Sequence, residues 1–447
     1  MSDDFIQDFK NEILENIPTN PAWAEDISIC LLSTFCGNVN TSTKMGKIKA
    51  NIQYIAIADS SAIKSLPLRE YLHPTLDKVR ELSGNLDLNF KLPSSFTPES
   101  MTLWFSGGIL GKKEIESHQH QGIIIRDEIS RMFKETTGKG YNVQLQEFMS
   151  EMFDGYIDGR FTISHGESKV VKDCYVSFIG ATTPYLYNVL EQEIFIQGLG
   201  SRILWETFRT EHRDYKEEEL IVNNVRNLKK EESITKYAKI LTKISQFKSI
   251  NIKVESPEIS KSLIDIRNKY DRKALEFNLK DKNSLEALYI SKAFVKLWKL
   301  ASLHAISRNC YNFVNQNKDS EIVLEFNQDD INWAEERIDG HINKFIYMLN
   351  EWRTKPVFKP IESDKYSQDA VLSALRNSAD LILTRRELEE TTNLYSRKLA
   401  DILRSVINAN YVKMLKKSEV LALGEEFFNK HGINPQKMMP QCYKLIE

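Results

Sequence analysis

Hydrophobic positions near the start of the chain follow the spacing of two helices. Phe5 and Phe9 fall on one face of a helix predicted over 3–17, and a second helix is predicted over about 21–37. The pattern then changes to short, uninterrupted apolar runs, which are typical of buried strands. We therefore expect a helical segment at 1–45, followed by a region rich in strands.

The apolar runs alternate with stretches of helical spacing, and this alternation predicts an α/β core over 46–211. Helices are predicted at about 63–82 and 141–153, and a hairpin is predicted at 159–172. The runs that predict buried strands are 52–57, 121–126, 174–181 and 202–208.

The second half of the chain has a different character. Charged residues dominate 212–233, which predicts a connector on the surface. Residues 234–355 have helical spacing over almost their whole length, so 212–355 is predicted to be an all-α lid. Two prolines indicate a linker over 356–366, which leaves 367–447 as a separate C-terminal unit.

Composition narrows the classes of function. The 447 residues include 60 Lys and Arg against 62 Asp and Glu, so a basic coat over the whole chain is excluded and any nucleic-acid surface must be local. No apolar run reaches the roughly 18 residues of a membrane span. The acidic, amphipathic start is unlike a targeting peptide. We therefore predict a soluble, cytoplasmic protein with no membrane partner.

The segment after the run 52–57 has the offset of a phosphate-binding loop, in which a strand is followed by G-x-x-x-x-G-K-[ST] and a helix. Lys64 and Ser65 stand at the required positions, but Ala58 and Ile63 replace both glycines. If the loop needs positive φ at Ile63, a β-branched residue there costs about 1–3 kcal/mol. Either the loop takes another shape or nucleotide binding is impaired. The predicted nucleotide-binding residues are Asp59, Ser60, Ser61, Ala62, Ile63, Lys64 and Ser65.

Polar residues also follow the later apolar runs. Asp127 and Glu128 stand where nucleotide hydrolases carry a metal-binding acid and an acid that orients or deprotonates water. Thr182 and Thr183 end the next run, where a strand tip would meet the γ-phosphate or the water. Arg202 follows a glycine-rich turn, as an arginine finger could. Each feature alone is more often structural, and it is their order that suggests a site.

This order and the surrounding segments resemble the RecA-like/AAA+ P-loop ATPase core of helicase-type replication proteins carried by viruses, plasmids and integrated elements. The resemblance is strongest to the group often encoded beside primase-polymerases and more distant to minichromosome maintenance helicases. It covers 20–210 and continues into a lid-like helical segment. The matching segments are PAWAEDISICLLSTFCG, AIADSSAIKSLPL, FTPESMTLWFS, GIIIRDEISRMF, EMFDGYIDGRF, VSFIGATTPYLYNVL, GLGSRILW, LEALYISKAFVKLWKLASLHA and FNQDDINWAEERI.

The resemblance implies an ATPase that uses ATP and Mg²⁺. By position, Ser65 and Asp127 are expected to hold the metal, and Glu128 is expected to act on the attacking water. Thr182 or Thr183 is expected to be the sensor residue.

The resemblance also implies partners. Arg202 is expected to complete the site of a neighbouring subunit, which implies a homo-oligomeric ring such as a hexamer. DNA, single-stranded or duplex, is the expected substrate, and a primase or polymerase is a further expected partner. The hairpin at 159–172, with Arg160, His165 and Lys169, could project into a central channel.

The C-terminal unit has the order of a winged helix-turn-helix. Thr384 and Glu387 form a predicted capping box at the start of its second helix. Nine basic and five acidic side chains lie between 371 and 417, and this positive excess suits contacts with phosphates. A solvated helix face or a protein-docking module is the alternative. The predicted DNA-binding residues are Arg385, Arg386, Tyr395, Arg397, Lys398, Arg404 and Lys413.

Three functions follow. The first is an ATP-dependent DNA helicase or translocase in the replication of a mobile element. The second is a catalytically inactive DNA-binding replication or regulatory protein that keeps a degenerate ATPase scaffold. The third is an ATP-gated switch for protein interactions.

Overall fold

The chain divides into two compact units, Met1–Lys355 and Pro356–Glu447. The boundary falls at the start of the predicted linker. The computed structural model describes residues 4–43, 46–84, 90–110, 113–115, 120–130, 132–133, 143–157, 161–162, 166–167, 170–209, 224–354, 363–378, 380–392, 394, 396–408, 411–434 and 440–446.

The first unit mixes strands and helices, and the mixed α/β class is thereby confirmed. Its strands are β1 (Val39–Thr43), β2 (Gly46–Ile48), β3 (Gln53–Ala58), β4 (Gly108–Leu110), β5 (Lys113–Ile115), β6 (Gln121–Arg126), β7 (Tyr156–Ile157), β8 (Phe161–Thr162), β9 (Gly166–Glu167), β10 (Val171–Lys172), β11 (Tyr175–Thr182), β12 (Leu204–Phe208), β13 (Ser249–Lys253) and β14 (Glu321–Glu325).

The helices of this unit surround its sheets. A π-helical turn, Leu68–Leu72, joins the third and fourth into one helical run, and a 3₁₀ helix spans Pro184–Asn188. The α-helices are α1 (Phe5–Asn16), α2 (Pro21–Thr34), α3 (Ser65–Pro67), α4 (His73–Ser83), α5 (Pro98–Ser106), α6 (Val143–Asp154), α7 (Gln192–Ile196), α8 (Leu199–Arg202), α9 (Asn224–Gln246), α10 (Pro257–Lys280), α11 (Leu285–Ile290), α12 (Ala293–Ser307), α13 (Cys310–Phe313) and α14 (Gln328–Thr354).

A four-stranded, fully parallel sheet lies at the centre, in the order β12-β3-β11-β6. Its two middle strands are buried along their whole length, as expected for a parallel sheet covered on both faces. The four apolar runs predicted to be buried strands are these strands, and no predicted end differs from the observed one by more than two residues. An isolated parallel bridge from Lys91 to Ile123 extends the pairing beyond β6.

The prediction of an all-α lid is wrong. Within the region predicted to be helical, β13 and β14 join β1 and β2 in a second sheet of order β14-β13-β1-β2. The residues of β13 alternate between partly buried and buried, and Ile250 and Ile252 point inward. Because this period-two signal lasts only five residues between long helices, the helical spacing of its flanks hides it. The predicted connector 212–233 is also partly wrong, since α9 begins at Asn224.

Buried ion pairs attach α14 to the central sheet. The Arg337 guanidinium of α14 contacts the carboxylate of Asp26 on α2, whose side chain is completely buried. About two turns further along the helix, Lys344 forms an ion pair with Glu206 of β12 at 2.5 Å. Burial raises the pKa of Asp26, and the positive charge of Arg337 opposes that shift. These charges fix the long helix against α2 and against β12, the edge strand of the central sheet.

A second polar cluster holds the N-terminal helix. Asp4 caps α1 by accepting a hydrogen bond from the Gln7 amide at 3.0 Å. The imidazole of His304 lies between two carboxylates, 2.7 Å from Asp330 and 3.3 Å from Asp4. Burial alone lowers the pKa of His304, but its hydrogen bonds to Asp330 and Asp4 outweigh burial and raise the pKa to about 9.

His304→Asn should therefore destabilise the protein in a pH-dependent way. Because the pKa is raised on folding, the stabilisation is complete below the unfolded pKa of about 6.5 and is lost as the pH rises through about 9. We expect a loss of about 3 kcal/mol in the free energy of unfolding at pH 6 and a much smaller loss at pH 10. Urea unfolding of both proteins at the two pH values measures this, and an equal loss at both would contradict it.

The second unit has its own core and a three-stranded antiparallel sheet of order β15-β17-β16. The capping box is confirmed, because the Thr384 amide donates to the Glu387 carboxylate at 2.8 Å and the Glu387 amide donates to the Thr384 hydroxyl at 3.3 Å. The elements are α15 (Ser363–Asn377), β15 (Ile382–Thr384), α16 (Arg385–Thr392), α17 (Ser396–Asn408), β16 (Val412–Met414), α18 (Lys417–Leu421), α19 (Gly424–Lys430) and β17 (Cys442–Leu445). Among the helices of the described parts of the chain, none combines the length and the apolar character needed to cross a bilayer.

Candidate functional site

The carboxyl ends of β3, β11 and β6 lie side by side. Thr182 at the end of β11 is opposite Ile57 of β3, and Gly180 is opposite Arg126 of β6. The chain leaves β3 toward β6 but leaves β11 in the opposite direction, toward β12. Right-handed crossovers then run on opposite faces of the sheet, which makes the gap between β3 and β11 a topological switch point. Ligands of open parallel sheets bind at such gaps.

The loop after β3 folds around the Lys64 side chain. Lys64 is 8% exposed, and its ammonium donates to the carbonyl oxygens of Ala58 at 3.3 Å and Asp59 at 2.9 Å. The Ala62 amide closes a turn onto the Asp59 carbonyl at 3.0 Å. Ser65 then begins the helical run of α3, the π-helical turn and α4. The predicted strand-loop-helix context of Lys64 is therefore present.

Side chains of the N-terminal helical segment hydrogen-bond to the backbone of the loop 58–65. The Thr19 hydroxyl donates to the Ile63 carbonyl at 2.5 Å, and the Trp23 indole donates to the Lys64 carbonyl at 3.0 Å. Ile63 packs against the hydrophobic core. No non-glycine residue from 58 to 65 has positive φ. The loop thus takes a shape that does not strain Ile63, which is the first of the two alternatives raised by the missing glycines.

Glu128 is held at the tip of β11 by two hydrogen bonds to one of its carboxylate oxygens. Its Oε1 accepts from the Thr182 hydroxyl at 2.7 Å and from the Ser130 amide at 3.0 Å. The hydroxyls of Ser130 and Thr182 are themselves 2.5 Å apart. The backbone supports this arrangement, since the Ile129 amide donates to the Ala181 carbonyl at 3.2 Å. Two residues predicted from separate apolar runs, Glu128 and Thr182, are thus brought into direct contact.

The Lys64 ammonium and the Glu128 carboxylate act on each other electrostatically. Burial lowers the pKa of Lys64, and the negative charges of Glu128 and Asp59 partly offset that effect. A buried cation beside a carboxylate at a switch point is the kind of environment found at functional sites.

The two residues expected to hold the metal lie on different elements, and Ser65 is half-buried as the first residue of α3. Asp127 follows β6 directly and is exposed. Burial lowers the pKa of His73, the first residue of α4, and the Asp127 carboxylate opposes that shift. Asp127 is thus in electrostatic range of His73, whereas the acid that acts on Lys64 is its neighbour Glu128. Thr183 precedes the 3₁₀ helix Pro184–Asn188, and its side chain makes no capping hydrogen bond to that helix.

Arg202 lies apart from this cluster. It forms an ion pair with Asp154, the last residue of α6, at 2.7 Å, and its Nη1 donates to the Gly198 carbonyl at 3.0 Å. A different arginine, Arg209, follows β12 and donates to the Tyr347 hydroxyl at 2.9 Å. The pKa of Arg209 is raised mainly by that hydrogen bond, with a smaller contribution from Asp59 of the loop.

A cavity of about 490 Å³ opens beside the loop, and Asp59, Arg209 and Tyr347 are among its lining residues. This volume is within the range of small-molecule sites. Among the residues that the structure describes, no group of three or more His, Cys, Asp or Glu side chains is arranged to hold a metal ion. Mg²⁺ sites in phosphate-binding enzymes need only one or two carboxylates together with substrate and water oxygens.

In the second unit, several predicted DNA-binding residues have acidic partners. Arg385 pairs with Glu389 at 3.3 Å and Arg386 with Glu390 at 2.9 Å. Lys413 pairs with Glu419 at 2.6 Å. Arg404 is exposed on α17, which also carries Arg397 and Lys398, whereas Tyr395 lies outside the described residues.

The hairpin predicted at 159–172 is present in its described strands. β8 pairs with β9 and β7 pairs with β10, both antiparallel. Arg160, His165 and Lys169 lie outside the described residues.

Sequence patterns missed four residues of the site, namely Thr19, Trp23, Ser130 and Arg209. Only Ser130 could have been suspected from the sequence. It stands two residues after Glu128, close enough for its amide and hydroxyl to hydrogen-bond at the end of β11. Thr19, Trp23 and Arg209 carry no local signal, since their partners are distant in the sequence.

Comparisons with known proteins add no assignment. No protein-family model matches the chain, and no curated protein is significantly similar to it.

Proposed function

We propose that the first unit binds and hydrolyses ATP at the loop 58–65 and that this activity drives movement along, or remodelling of, DNA in replication. The observation that carries the proposal is the buried Lys64 ammonium, enclosed by the loop at the switch point and in electrostatic range of Glu128. Thr182 fixes that carboxylate from the neighbouring strand. An ammonium, a carboxylate and a polar strand tip are the groups that phosphoryl transfer from a nucleoside triphosphate requires.

The fold supports a P-loop-type core in three ways. The parallel sheet places the loop strand β3 in the interior, next to the strand that carries Thr182. The acid-bearing strand β6 lies one position further along. A helical run begins directly after Lys64. Together these features match the strand-loop-helix arrangement that presents a phosphate to a lysine and to backbone amides.

The residues at this edge divide the chemistry between them. Lys64 offsets the charge of the β- and γ-phosphates, and the Glu128 carboxylate orients the attacking water and accepts its proton. Thr182 holds Glu128 in place. Ser65 and Asp127 offer a hydroxyl and a carboxylate, which are oxygen ligands that suit Mg²⁺. The metal would supply charge neutralisation at the phosphates.

The second unit supports the assignment to DNA. Its helices α16 and α17, followed by β16 and closed by β17, match a helix-turn-helix with a wing. We propose that exposed basic residues such as Arg404 contact phosphates. A homo-oligomeric ring, with Arg202 acting on the neighbouring subunit, and a primase or polymerase partner belong to the same proposal.

Glu128→Gln should separate chemistry from binding. The amide keeps the shape of the side chain but cannot accept the proton of water, so we expect ATP turnover to fall by about 10²–10⁴-fold while a fluorescent ATP analogue still binds. Turnover is measured with and without single-stranded DNA, which should stimulate the wild type. The matched control is Glu81→Gln on α4, where Glu81 pairs with Lys78 at the surface, and it should behave like the wild type.

The measurements of ATP binding and turnover would refute the proposed ATPase function if the wild type bound DNA but neither bound nor turned over ATP. That outcome would favour the inactive DNA-binding protein. One observation points in that direction, because the Lys64 ammonium and the Ala62 amide are both engaged by carbonyls of their own loop. Nucleotide-dependent assembly without DNA affinity would instead favour the protein-interaction switch.

A further inference from the structure

The hydrogen bonds at the tip of β11 form a directed chain. The Thr182 hydroxyl has one proton, and it donates that proton to Glu128 Oε1 at 2.7 Å. In the 2.5 Å contact between the two hydroxyls, Ser130 must then be the donor and Thr182 the acceptor. The order of donation is therefore Ser130 to Thr182 to Glu128.

Ser130 also reaches Glu128 directly. Its backbone amide donates to the same oxygen, Oε1, at 3.0 Å. Among the described residues, the structure gives no hydrogen bond to the other oxygen, Oε2. Two donors thus fix Oε1 of the carboxylate. The other oxygen, Oε2, can accept a proton from the attacking water.

The three groups differ in exposure. Ser130 is 4% exposed and Thr182 is completely buried, whereas Glu128 is exposed at the crevice. Buried hydroxyls that hydrogen-bond to one another polarise each other, and they rigidify the last acceptor in the series of hydrogen bonds. The rigid end of this series of hydrogen bonds is the solvent-exposed Glu128 carboxylate, whose negative charge acts on Lys64.

We propose that Ser130 is a positioning residue for the hydrolytic step, acting through Thr182 to orient the Glu128 carboxylate. This inference rests on the proposed function and adds to it a residue that does not touch the nucleotide. Ser130 fixes the direction in which Thr182 donates, and Thr182 in turn fixes which oxygen of Glu128 is free. Without the Ser130 hydroxyl, Thr182 loses its donor, and the carboxylate gains rotational freedom.

The test compares steady-state ATP turnover of the full chain carrying Ser130→Ala, Thr182→Val, or both. We expect Ser130→Ala to lower kcat by about 10- to 100-fold and to leave KM unchanged, because supporting residues of this kind contribute about that much. Ser130→Thr keeps the hydroxyl and should restore most of the activity. Because the two hydroxyls act as one chain, the double variant should be no slower than Thr182→Val alone.

A buried serine elsewhere provides the control. Ser28 is completely buried, and its hydroxyl donates only to the Ala24 carbonyl within α2 at 2.8 Å. Ser28→Ala should keep the wild-type kcat, and unfolding curves of all variants exclude a loss of structure.

Three outcomes would overturn the inference: a normal kcat for Ser130→Ala, a loss that appears in KM alone, or strictly multiplicative losses in the double variant. In each of these cases the proposed ATPase function would still stand, provided that the wild-type protein turns over ATP. If the wild type itself turned over no ATP, the proposed function and this inference would both be refuted.

Discussion

Lys64→Ala should abolish measurable ATP turnover and weaken ATP binding by roughly 10- to 150-fold, the equivalent of about 1.5–3 kcal/mol for a hydrogen bond to a charged group. The variant removes the buried cation of the loop, which lies in electrostatic range of Glu128. Titration with a fluorescent ATP analogue measures the affinity, and phosphate release measures the turnover.

The control for this variant is Lys78→Ala on the helix that follows the loop. Lys78 is partly exposed and pairs with Glu81 at 2.9 Å, so its loss should leave both readouts unchanged. Lys64 also holds the carbonyls of Ala58 and Asp59, and the free energy of unfolding should therefore be measured in parallel. Wild-type turnover in Lys64→Ala would refute nucleotide hydrolysis at this loop.

Arg337→Ala should lower the free energy of unfolding by about 3–5 kcal/mol, because it leaves the buried carboxylate of Asp26 without its counter-ion. The second nearby acid, Glu25, lies 3.6 Å from the same guanidinium and would repel Asp26 once the cation is gone. Guanidinium unfolding followed by circular dichroism measures the change.

Two further variants sharpen that experiment. Arg272→Ala, on α10, removes an exposed guanidinium whose Nε donates to the Asn268 carbonyl at 3.2 Å, and it should change stability by no more than about 0.5 kcal/mol. Replacing both buried partners, Asp26→Leu with Arg337→Met, should recover most of the loss, since an apolar pair does not have to be desolvated as ions. If Arg337→Ala were as stable as the wild type, the buried ion pair would not hold α14 to α2.

The central sheet could be predicted from the sequence because each of its strands is a short apolar run. Since parallel strands end at one edge, the polar residues after those runs could also be expected to meet. Glu128 and Thr182 do so. Lys64 could be predicted as part of the loop because its offset from β3 is a property of the local chain.

What escaped prediction depends on contacts between distant segments. Arg202 has the spacing of a finger, but nothing in its neighbourhood reveals that Asp154 pairs with it. Thr19 and Trp23 fasten the loop only because α1 and α2 fold back onto it. The strand β13 is short and lies between long helices, so its partner β1 is needed to identify it.

The second sheet has a consequence for how the chain folds during synthesis. Asn40 and Asn251, whose side chains are 3.4 Å apart, lie on paired strands and are 211 positions apart in the chain. At about 5–20 residues per second, a ribosome takes roughly 10–40 s to synthesise that interval. During this time β1 has only β2 as a partner, and its other edge is open to pairing with other nascent chains. A chaperone that covers the open edge of β1 during this interval would therefore protect the nascent chain from aggregation.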